Sequence, residues 1–299
     1  MAEIAVVGSA NLDLVVAVPH VPVVGETVLG GDVRHLPGGK GANQAVAAAR
    51  LGRTVAMIGR VGDDEAGATL RTSLDADGVD TTHLRTTADT PSGLALIAVD
   101  DDGDNAIVVS PGANGRVRPD DVAAASVLLE QAAVTLVQLE IPTESVVAAA
   151  TAARGTVIVN PAPAPAEPLP DELVDGAILV PNQTELARLA GHRGPVDVET
   201  AADLARRLPS AATVVTLGAD GALVVTEAAA THIPAPAVEP VDTTAAGDAF
   251  CAALADALVR GAALDEAARW AVRVGAATTL RTGAQPSLPT PAEVASRLG

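Results

Sequence analysis

Short apolar runs of four or five residues recur along the 299-residue chain, and most of them are separated by stretches with helical periodicity. Buried strands that alternate with helices are typical of βαβ units, in which a parallel sheet is covered by helices on both faces. The predicted strands are 4–7, 54–58, 134–138, 156–159, 177–180 and 213–217. The predicted helices are 41–51, 65–76, 143–153, 183–190, 198–208, 246–259 and 264–280. We therefore predict an α/β fold with a doubly wound, mostly parallel sheet.

One region departs from this alternation. The strand-like runs 92–101 and 105–110 lie on either side of Asp102-Gly103, a dipeptide that favours a hairpin turn. With the runs 14–18 and 27–29, they could form a small separate sheet or extend the edge of the main sheet. Because these segments flank a polar motif, we predict a β-sheet lid built from about 14–34 and 92–110. The whole chain, 1–299, is then a single domain with a lid.

The composition excludes several classes of partner. The net charge of −18 argues against binding to nucleic acid or to an anionic membrane surface, since phosphate groups repel such a chain. The single cysteine, Cys251, excludes a disulfide framework. No uncharged apolar run approaches the ~20 residues of a membrane helix, and the N-terminus lacks the basic flank of a signal peptide. We therefore expect a soluble cytoplasmic protein.

Lysine and asparagine are rare in this chain. Lys40 is the only lysine beside eighteen arginines, and asparagine occurs six times. Residues with AT-rich codons are depleted, as in proteins from GC-rich genomes. The lysine and asparagines that remain are therefore candidates for chemical roles.

The segment from Asp242 to Asp248, DTTAAGD, leads directly into the predicted helix 246–259. A turn of small residues at a helix start leaves N–H groups free and directs the positive end of the helix dipole at one point. Such a turn can bind an anion, and Asp248 could accept a proton from a hydroxyl that attacks a phosphate there. Alternatively, Asp248 only caps the helix. Neither a P-loop nor a GxGxxG fingerprint occurs elsewhere in the chain.

Two further motifs carry polar side chains close to glycines. In LPGGKGANQ, paired glycines permit close approach of the backbone to a ligand, while Lys40 and Asn43 offer hydrogen-bond donors. In GSANLD, Asn11 and Asp13 lie at the carboxyl end of a strand, where open α/β sheets bind their ligands. A Gly-rich turn with a solvated lysine, and ordinary turn residues, are the alternative interpretations.

Together the motifs resemble those of the PfkB-type carbohydrate kinases over nearly the whole chain. The segments GSANLD, PGGKGANQA, SPGAN, QLEIP, NPAPA, PNQTE, TLGADG, DTTAAGD and RTGAQPS occur in the order of that family. The resemblance implies a kinase fold with a β lid that often pairs into a homodimer. It also implies ATP-dependent phosphorylation of D-ribose at its 5-hydroxyl, with ATP, Mg²⁺ and an activating K⁺ as cofactors.

The resemblance also implies roles for individual residues. Asp248 would be the general base, beside an anion hole formed by the N–H groups of Ala245, Ala246 and Gly247. The residues implied to bind the sugar are Asn11, Asp13, Gly39, Lys40, Gly41, Asn43 and Glu140, together with Asp248. Those implied to organise Mg²⁺, phosphates and nucleotide are Asn182, Glu185, Thr216, Gly218, Ala219, Asp220, Gly221 and Gly247. Those implied to surround the monovalent cation are Asp242, Thr244, Thr278, Arg281, Gly283 and Ser287.

Two alternatives remain at this point. Another kinase of the family would act on deoxyribose, a hexose such as fructose, or a nucleoside. A non-catalytic sugar-binding regulator on the same fold is the other alternative, although binding alone requires neither Asp248 nor the Asn182/Glu185 pair.

Overall fold

A computed structural model describes residues 2–100 and 104–298 of the chain. The strands are β1 (Ile4–Val7), β2 (Asn11–Ala17), β3 (Arg34–Gly38), β4 (Val55–Gly62), β5 (Leu84–Thr87), β6 (Gly93–Val99), β7 (Asn105–Ser110), β8 (Val134–Gln138), β9 (Thr156–Asn160), β10 (Ile178–Leu179), β11 (Ala212–Thr216), β12 (Ala222–Thr226) and β13 (Ala230–Ile233). The helices are α1 (Lys40–Arg50), α2 (Glu65–Ala76), α3 (Pro119–Ala123), α4 (Ser126–Gln131), α5 (Thr143–Ala152), α6 (Asp171–Val174), α7 (Gln183–Leu189), α8 (Val198–Ala205), α9 (Ala246–Val259), α10 (Leu264–Thr278), α11 (Ala284–Ser287) and α12 (Pro291–Leu298).

The main sheet has the strand order β13-β12-β11-β10-β9-β8-β1-β4-β5. Its pairs are parallel except for β11–β12 and β12–β13, which form an antiparallel edge. From β1 the chain winds outward to β4 and β5, whereas from β8 it winds the other way to β11. The order therefore reverses between β1 and β8, and the carboxyl ends of these strands open into the crevice where α/β proteins bind ligands.

Both faces of the main sheet are covered. In β1, Ile4 and Val6 belong to the core that packs against α1, α9 and α10, while Ala5 and Val7 belong to the core under α3–α6. All four side chains are fully buried, because successive side chains of a strand point to opposite faces. The prediction of a doubly wound, mostly parallel sheet is confirmed.

Helix α9 lies inside this core. Its residues from Asp248 to Ala257 are buried without interruption, so the helix has no solvent face. Its many alanines suit that position, because they permit close packing against α1 and α10 and favour the helix. Consequently the body of α9 is fixed in the core, while its first turn, with the exposed Gly247, reaches the cavity side of the molecule.

A second sheet of four strands, in the order β3-β2-β6-β7, is separate from the main sheet. Ser92, the residue before β6, is held in place by Asp64: the Asp64 carboxylate accepts hydrogen bonds from the N–H and the hydroxyl of Ser92, at 2.8 and 2.6 Å. The predicted strand at 27–29 was wrong: those residues form no strand, and Arg34–Gly38 pairs with β2 instead. The hairpin tip at Asp102-Gly103 lies outside the described residues. Across residues 2–100 and 104–298, no helix has the length and apolar character required to cross a membrane.

Candidate active site

The first turn of α9 presents backbone N–H groups to the crevice. Ala245, the residue before the helix, adopts the left-handed conformation (φ 60°), which costs about 1 kcal/mol for a residue other than glycine. Of the three predicted anion-hole donors, the N–H of Ala246 donates to the Thr243 carbonyl at 3.2 Å. Within the described residues, the N–H groups of Ala245 and Gly247 have no backbone acceptor. Two of the three predicted donors are therefore available to an anion.

Asp248, in the same turn, is held by two side-chain amides of α1. Asn43 Nδ2 donates to Asp248 Oδ2 at 3.0 Å, and Gln44 Nε2 donates to Asp248 Oδ1 at 3.1 Å. Burial raises the pKa of Asp248, and these two hydrogen bonds oppose that effect. Asn43, predicted as a sugar ligand, thus directs its amide at the candidate base. Gln44 was not among the predicted site residues, although it directly follows Asn43 in the Gly-rich motif.

The two Gly-containing motifs pack against each other and hold Glu140. Glu140 Oε2 accepts hydrogen bonds from Ser9 Oγ at 2.5 Å and from the Lys40 N–H at 3.2 Å. A Cβ at Gly39, whose φ is 88°, would lie 2.6 Å from the Asn11 nitrogen, and one at Gly41 would lie 2.6 Å from the Ser9 nitrogen. Both glycines are therefore required for the contact between the loops.

Asn11 and Asp13 lie on β2 and are both buried. Asn114, of the SPGAN motif, donates from Nδ2 to Asn11 Oδ1 at 2.7 Å, so the Asn11 amide nitrogen is left to face away from this bond. The Asp13 backbone belongs to the sheet, but its carboxylate accepts no hydrogen bond from the described residues. Burial raises its pKa to about 7, and the carboxylates of Glu140 and Asp248 contribute to the increase. A buried acceptor without a partner is suited to a ligand rich in hydroxyl groups.

A cavity of about 220 Å³ opens at the N-terminus of α9. Its lining residues are Lys40, Asn160, Ala162, Val180, Asn182, Glu185, Thr216, Thr243, Ala245, Gly247, Asp248 and Cys251. Thus the structure brings the candidate base and the N–H donors together with Thr216 and the Asn182/Glu185 pair. A larger cleft, of about 470 Å³, lies at the start of β11, the opposite end of that strand from Thr216.

Lys40 lines this cavity, whereas Asp13 does not. Burial alone would lower the pKa of its ammonium group. The surrounding carboxylates of Asp248, Glu140 and Glu185 outweigh burial and raise that pKa above its ordinary value. Lys40 is therefore cationic and lies among residues predicted for both the sugar and the phosphates.

Asn182 and Glu185 form a capping box at the start of α7. Asn182 Oδ1 accepts from the Glu185 N–H at 2.8 Å, and Glu185 Oε2 accepts from the Asn182 N–H at 2.9 Å. Burial raises the pKa of Glu185, against the opposing effects of the Asn182 bond and of Lys40. One oxygen of each side chain is therefore engaged in a hydrogen bond to the backbone at the start of α7. In the described part of the chain, no group of three His, Cys, Asp or Glu residues could hold a metal ion.

The other predicted nucleotide residues follow β11. Gly218, Ala219 and Asp220 form an exposed 3₁₀ turn, and none of them lines the cavity. Gly221 closes this turn with φ 92°, where a Cβ would lie 2.0 Å from the Ile233 carbonyl oxygen. The turn therefore lies on the surface next to the cavity, where the Thr216 end of β11 meets solvent.

The residues predicted to surround a monovalent cation come from two adjacent segments. Asp242 Oδ1 accepts from the Thr244 N–H at 2.9 Å, and Oδ2 accepts from the Gly283 N–H at 2.7 Å. Although burial opposes the effect, these bonds lower the pKa of Asp242. The carboxylate thus joins the turn before α9 to the turn before α11.

Side chains at the other predicted positions have local partners. The hydroxyls of Thr278 and Ser287 donate to the carbonyls of Val274 and Ala284, both at 2.8 Å. The exposed Arg281 contacts Glu293 at 3.2 Å. The side-chain oxygens of Thr278, Ser287 and Asp242 are therefore engaged in hydrogen bonds within the chain.

A buried carboxylate beside free N–H groups and a lysine, with a buried acceptor nearby, is the arrangement of a phosphoryl-transfer enzyme acting on a polyhydroxy substrate. The family described as pfkB family carbohydrate kinase matches residues 1–291, so the chain belongs to that family. Ribokinase from Bacillus subtilis (strain 168) is 41% identical over 298 residues, which cover 98% of each chain.

Solved structures agree with this assignment. The ribokinase of Thermotoga maritima has a TM-score of 0.89 and 34% identity, covering 99% of both chains. Arabidopsis thaliana ribokinase complexed with ribose and ATP has a TM-score of 0.86 and 33% identity, covering 99% of this chain and 98% of that one. The resemblance inferred from the motifs is confirmed.

Proposed function

We propose that this protein is an ATP-dependent kinase that phosphorylates D-ribose on O5 to give ribose 5-phosphate. The observation that carries the proposal is the position of Asp248. Its buried carboxylate lies in the first turn of α9, beside free N–H groups and the only lysine of the chain. The ribokinases of the comparison, one of them complexed with ribose and ATP, support ribose and ATP as the substrates.

In the proposed reaction, Asp248 takes the proton of the sugar hydroxyl as its oxygen attacks the γ-phosphorus of ATP. The new O–P bond forms while the bond to the β,γ-bridging oxygen breaks, and ADP leaves with that electron pair. The N–H groups of Ala245 and Gly247 and the ammonium of Lys40 stabilise the negative charge of the transferring group. Asp13, Glu140 and the Asn11 amide would bind the sugar hydroxyls, and the turn after Thr216 would support the nucleotide.

The proposed cofactors besides ATP are Mg²⁺ and K⁺. Since Asn182 and Glu185 each use an oxygen in the capping box, they fit contact with Mg²⁺ through water rather than a closed metal site. Mg²⁺ supplies positive charge to the phosphates. K⁺ would lie against carbonyl oxygens of the segments 242–244 and 278–287, behind the anion hole.

We further propose that the chain acts as one kinase unit whose four-stranded sheet is a lid and pairs two copies. Leu96 and Val108 are cross-strand partners on one face of this sheet, while Ile107 and Val109 lie on the other face, and all four are 45–64% exposed. Exposed apolar side chains that share a face favour a partner surface. Sedimentation should therefore show a dimer at micromolar concentration, and Val108→Asp should give monomers. A monomeric wild-type protein would refute the pairing.

Because ATP is a cytoplasmic substrate, the cytoplasm is the proposed location.

A coupled assay with ATP and a panel of ribose, deoxyribose, fructose and adenosine tests the function. We expect the highest kcat/KM with ribose, and a loss of about 10²–10⁴-fold in kcat for Asp248→Asn with sugar binding retained. A preference for deoxyribose, fructose or adenosine would assign another kinase of the family. Sugar binding without phosphorylation would indicate a binding regulator.

A further inference from the structure

Gln44 contacts the candidate base without reaching the ligand cavity. Its side chain is completely buried and is absent from the cavity lining, yet its Nε2 lies 3.1 Å from Asp248 Oδ1. A second acceptor, Asn160 Oδ1, lies 3.4 Å from the same nitrogen. Any effect of Gln44 on a reaction must therefore pass through Asp248 or the surrounding packing.

The orientation of the Gln44 amide is set by Gln138, at the end of β8. Gln138 Nε2 donates to Gln44 Oε1 at 2.6 Å, which leaves the Gln44 nitrogen directed at Asp248. A Cβ at Gly8 would lie 1.9 Å from Gln138 Oε1, so this glycine makes room for the Gln138 amide. If the Gln44 amide were reversed, its oxygen would face Asp248 Oδ1 and its nitrogen would face Gln138 Nε2, so neither hydrogen bond could form. The pair is therefore arranged to donate to a carboxylate.

The charges around Asp248 show why such donation matters. Lys40 on α1 favours the ionised carboxylate, and burial opposes it. The carboxyl groups that face Asp248 are Glu140 after β8, Asp13 on β2 and Glu185 on α7, and the Cys251 thiol lies on its own helix. One ammonium therefore faces three carboxyl groups, and hydrogen bonds to the charged form must supply the remaining stabilisation.

We propose that Gln44, oriented by Gln138, is a positioning residue that keeps the Asp248 carboxylate ionised and fixed in direction, ready to accept the hydroxyl proton. This role rests on the proposed function of Asp248 as general base. Asn43, which is buried and also absent from the cavity lining, supplies the second donor. The two adjacent amides of α1 thus couple the start of α1 to the start of α9.

The pH dependence of kcat/KM for ribose tests this role. In Gln44→Met, removal of one hydrogen bond to the charged form should move the acidic limb upward by about one pH unit. Activity should then recover at high pH, which a purely structural defect would not produce. Gln138→Met tests the orienting contact, because it removes a buried amide of the same size but leaves both donors to Asp248 in place. Its limb should move less than half as far.

A direct measurement separates this role from the proposed function. The ¹³Cγ signal of Asp248, assigned by comparison with Asp248→Asn, reports its titration in the free enzyme, whether or not ribose is phosphorylated. If Gln44→Met does not fold, the isosteric Gln44→Glu should raise the titration midpoint at least as far. An unchanged midpoint in a folded Gln44 variant, or a larger shift in Gln138→Met than in Gln44→Met, would overturn the proposal. Absence of phosphorylation by the wild-type enzyme would instead refute the proposed function.

Discussion

Gly38→Ala should weaken sugar binding by displacing Asp13. Gly38 ends β3 and pairs with Asn11 on the neighbouring strand. An added Cβ would lie 2.1 Å from Asp13 Oδ2, 2.8 Å from Oδ1 and 2.6 Å from Cγ. Gly38 does not adopt a left-handed φ, so alanine strains no backbone torsion there. The substitution therefore acts on the Asp13 carboxyl group.

The size of the effect follows from what Asp13 would contribute. A hydrogen bond between a carboxylate and a hydroxyl contributes about 1.5–3 kcal/mol. Because about 1.4 kcal/mol corresponds to a factor of ten, the KM for ribose should rise roughly 10- to 150-fold. Asp13 does not line the cavity of about 220 Å³ in which Lys40 and Asp248 lie. The KM for ATP should therefore change less than about twofold.

Steady-state kinetics with ribose and ATP varied in turn will measure both constants. Gly31→Ala is the matched control, since its Cβ would lie 3.8 Å from its nearest contact, the Ala17 carbonyl oxygen. It belongs to the same region but should leave both constants unchanged. An unchanged ribose KM in a folded Gly38→Ala enzyme would refute the role of Asp13. An equal increase in the Gly31→Ala enzyme would attribute the effect to the lid.

Three further predictions concern charge. Lys40→Met should lower kcat by at least about 10²-fold while the ribose KM changes much less, because Lys40 lines the cavity with the phosphate-side residues. A change in ribose KM alone would instead place Lys40 on the sugar side. K⁺ should raise kcat/KM severalfold over Na⁺ or Tris buffers, and Asp242→Asn should abolish that response; equal rates in all three buffers would remove the cation site. Asp13→Asn should raise Tm at pH 8 by at least about 2 °C. Since burial and nearby carboxylates raise the pKa of Asp13 from 3.8 to about 7, the wild-type protein loses stability as pH rises through that interval. The Tm difference should therefore vanish near pH 4; a difference that does not vary with pH would contradict this account.

The fold could be predicted where burial alone decides the secondary structure. The predicted bounds of β1, α2, β8 and α9 agree with the structure, since their apolar residues are sequestered by the main sheet and its helices. The second sheet was only partly predictable. Residues 27–29 have strand-forming side chains but are mostly exposed, whereas Arg34–Gly38 contains a proline and is a strand because β2 supplies its hydrogen bonds. Pairing to a distant neighbour overrode local preference there.

In the candidate site, too, some features could be predicted from local sequence and others depend on the tertiary structure. Motifs predicted the residue types around Asp248, because a small-residue turn before a helix is a local feature. The contact of Gln44 with Asp248 joins residues 204 positions apart and leaves no periodic trace in the sequence. Likewise, the sequence shows Asn114 only as part of the SPGAN motif. Its hydrogen bond to Asn11 forms because the turn after β7 brings the chain back to the start of β2. Such contacts depend on how α1, α9 and the second sheet meet.

A chain with a net charge of −18 can still bind ATP, because charge near the ligand outweighs charge farther away. At physiological ionic strength the Debye length is about 8 Å, so acidic groups elsewhere on the surface are largely screened. Within the site, carboxyl groups at Asp13 and Glu140 lie on the side assigned to the neutral sugar, which needs hydrogen-bond acceptors. The unpaired N–H groups of Ala245 and Gly247 lie with Lys40 on the side assigned to phosphate, which needs donors. In the proposed reaction, Asp248 accepts the proton of the sugar hydroxyl between these two sides. This division also explains why the single lysine lies in a cavity lined by acidic groups rather than on the surface.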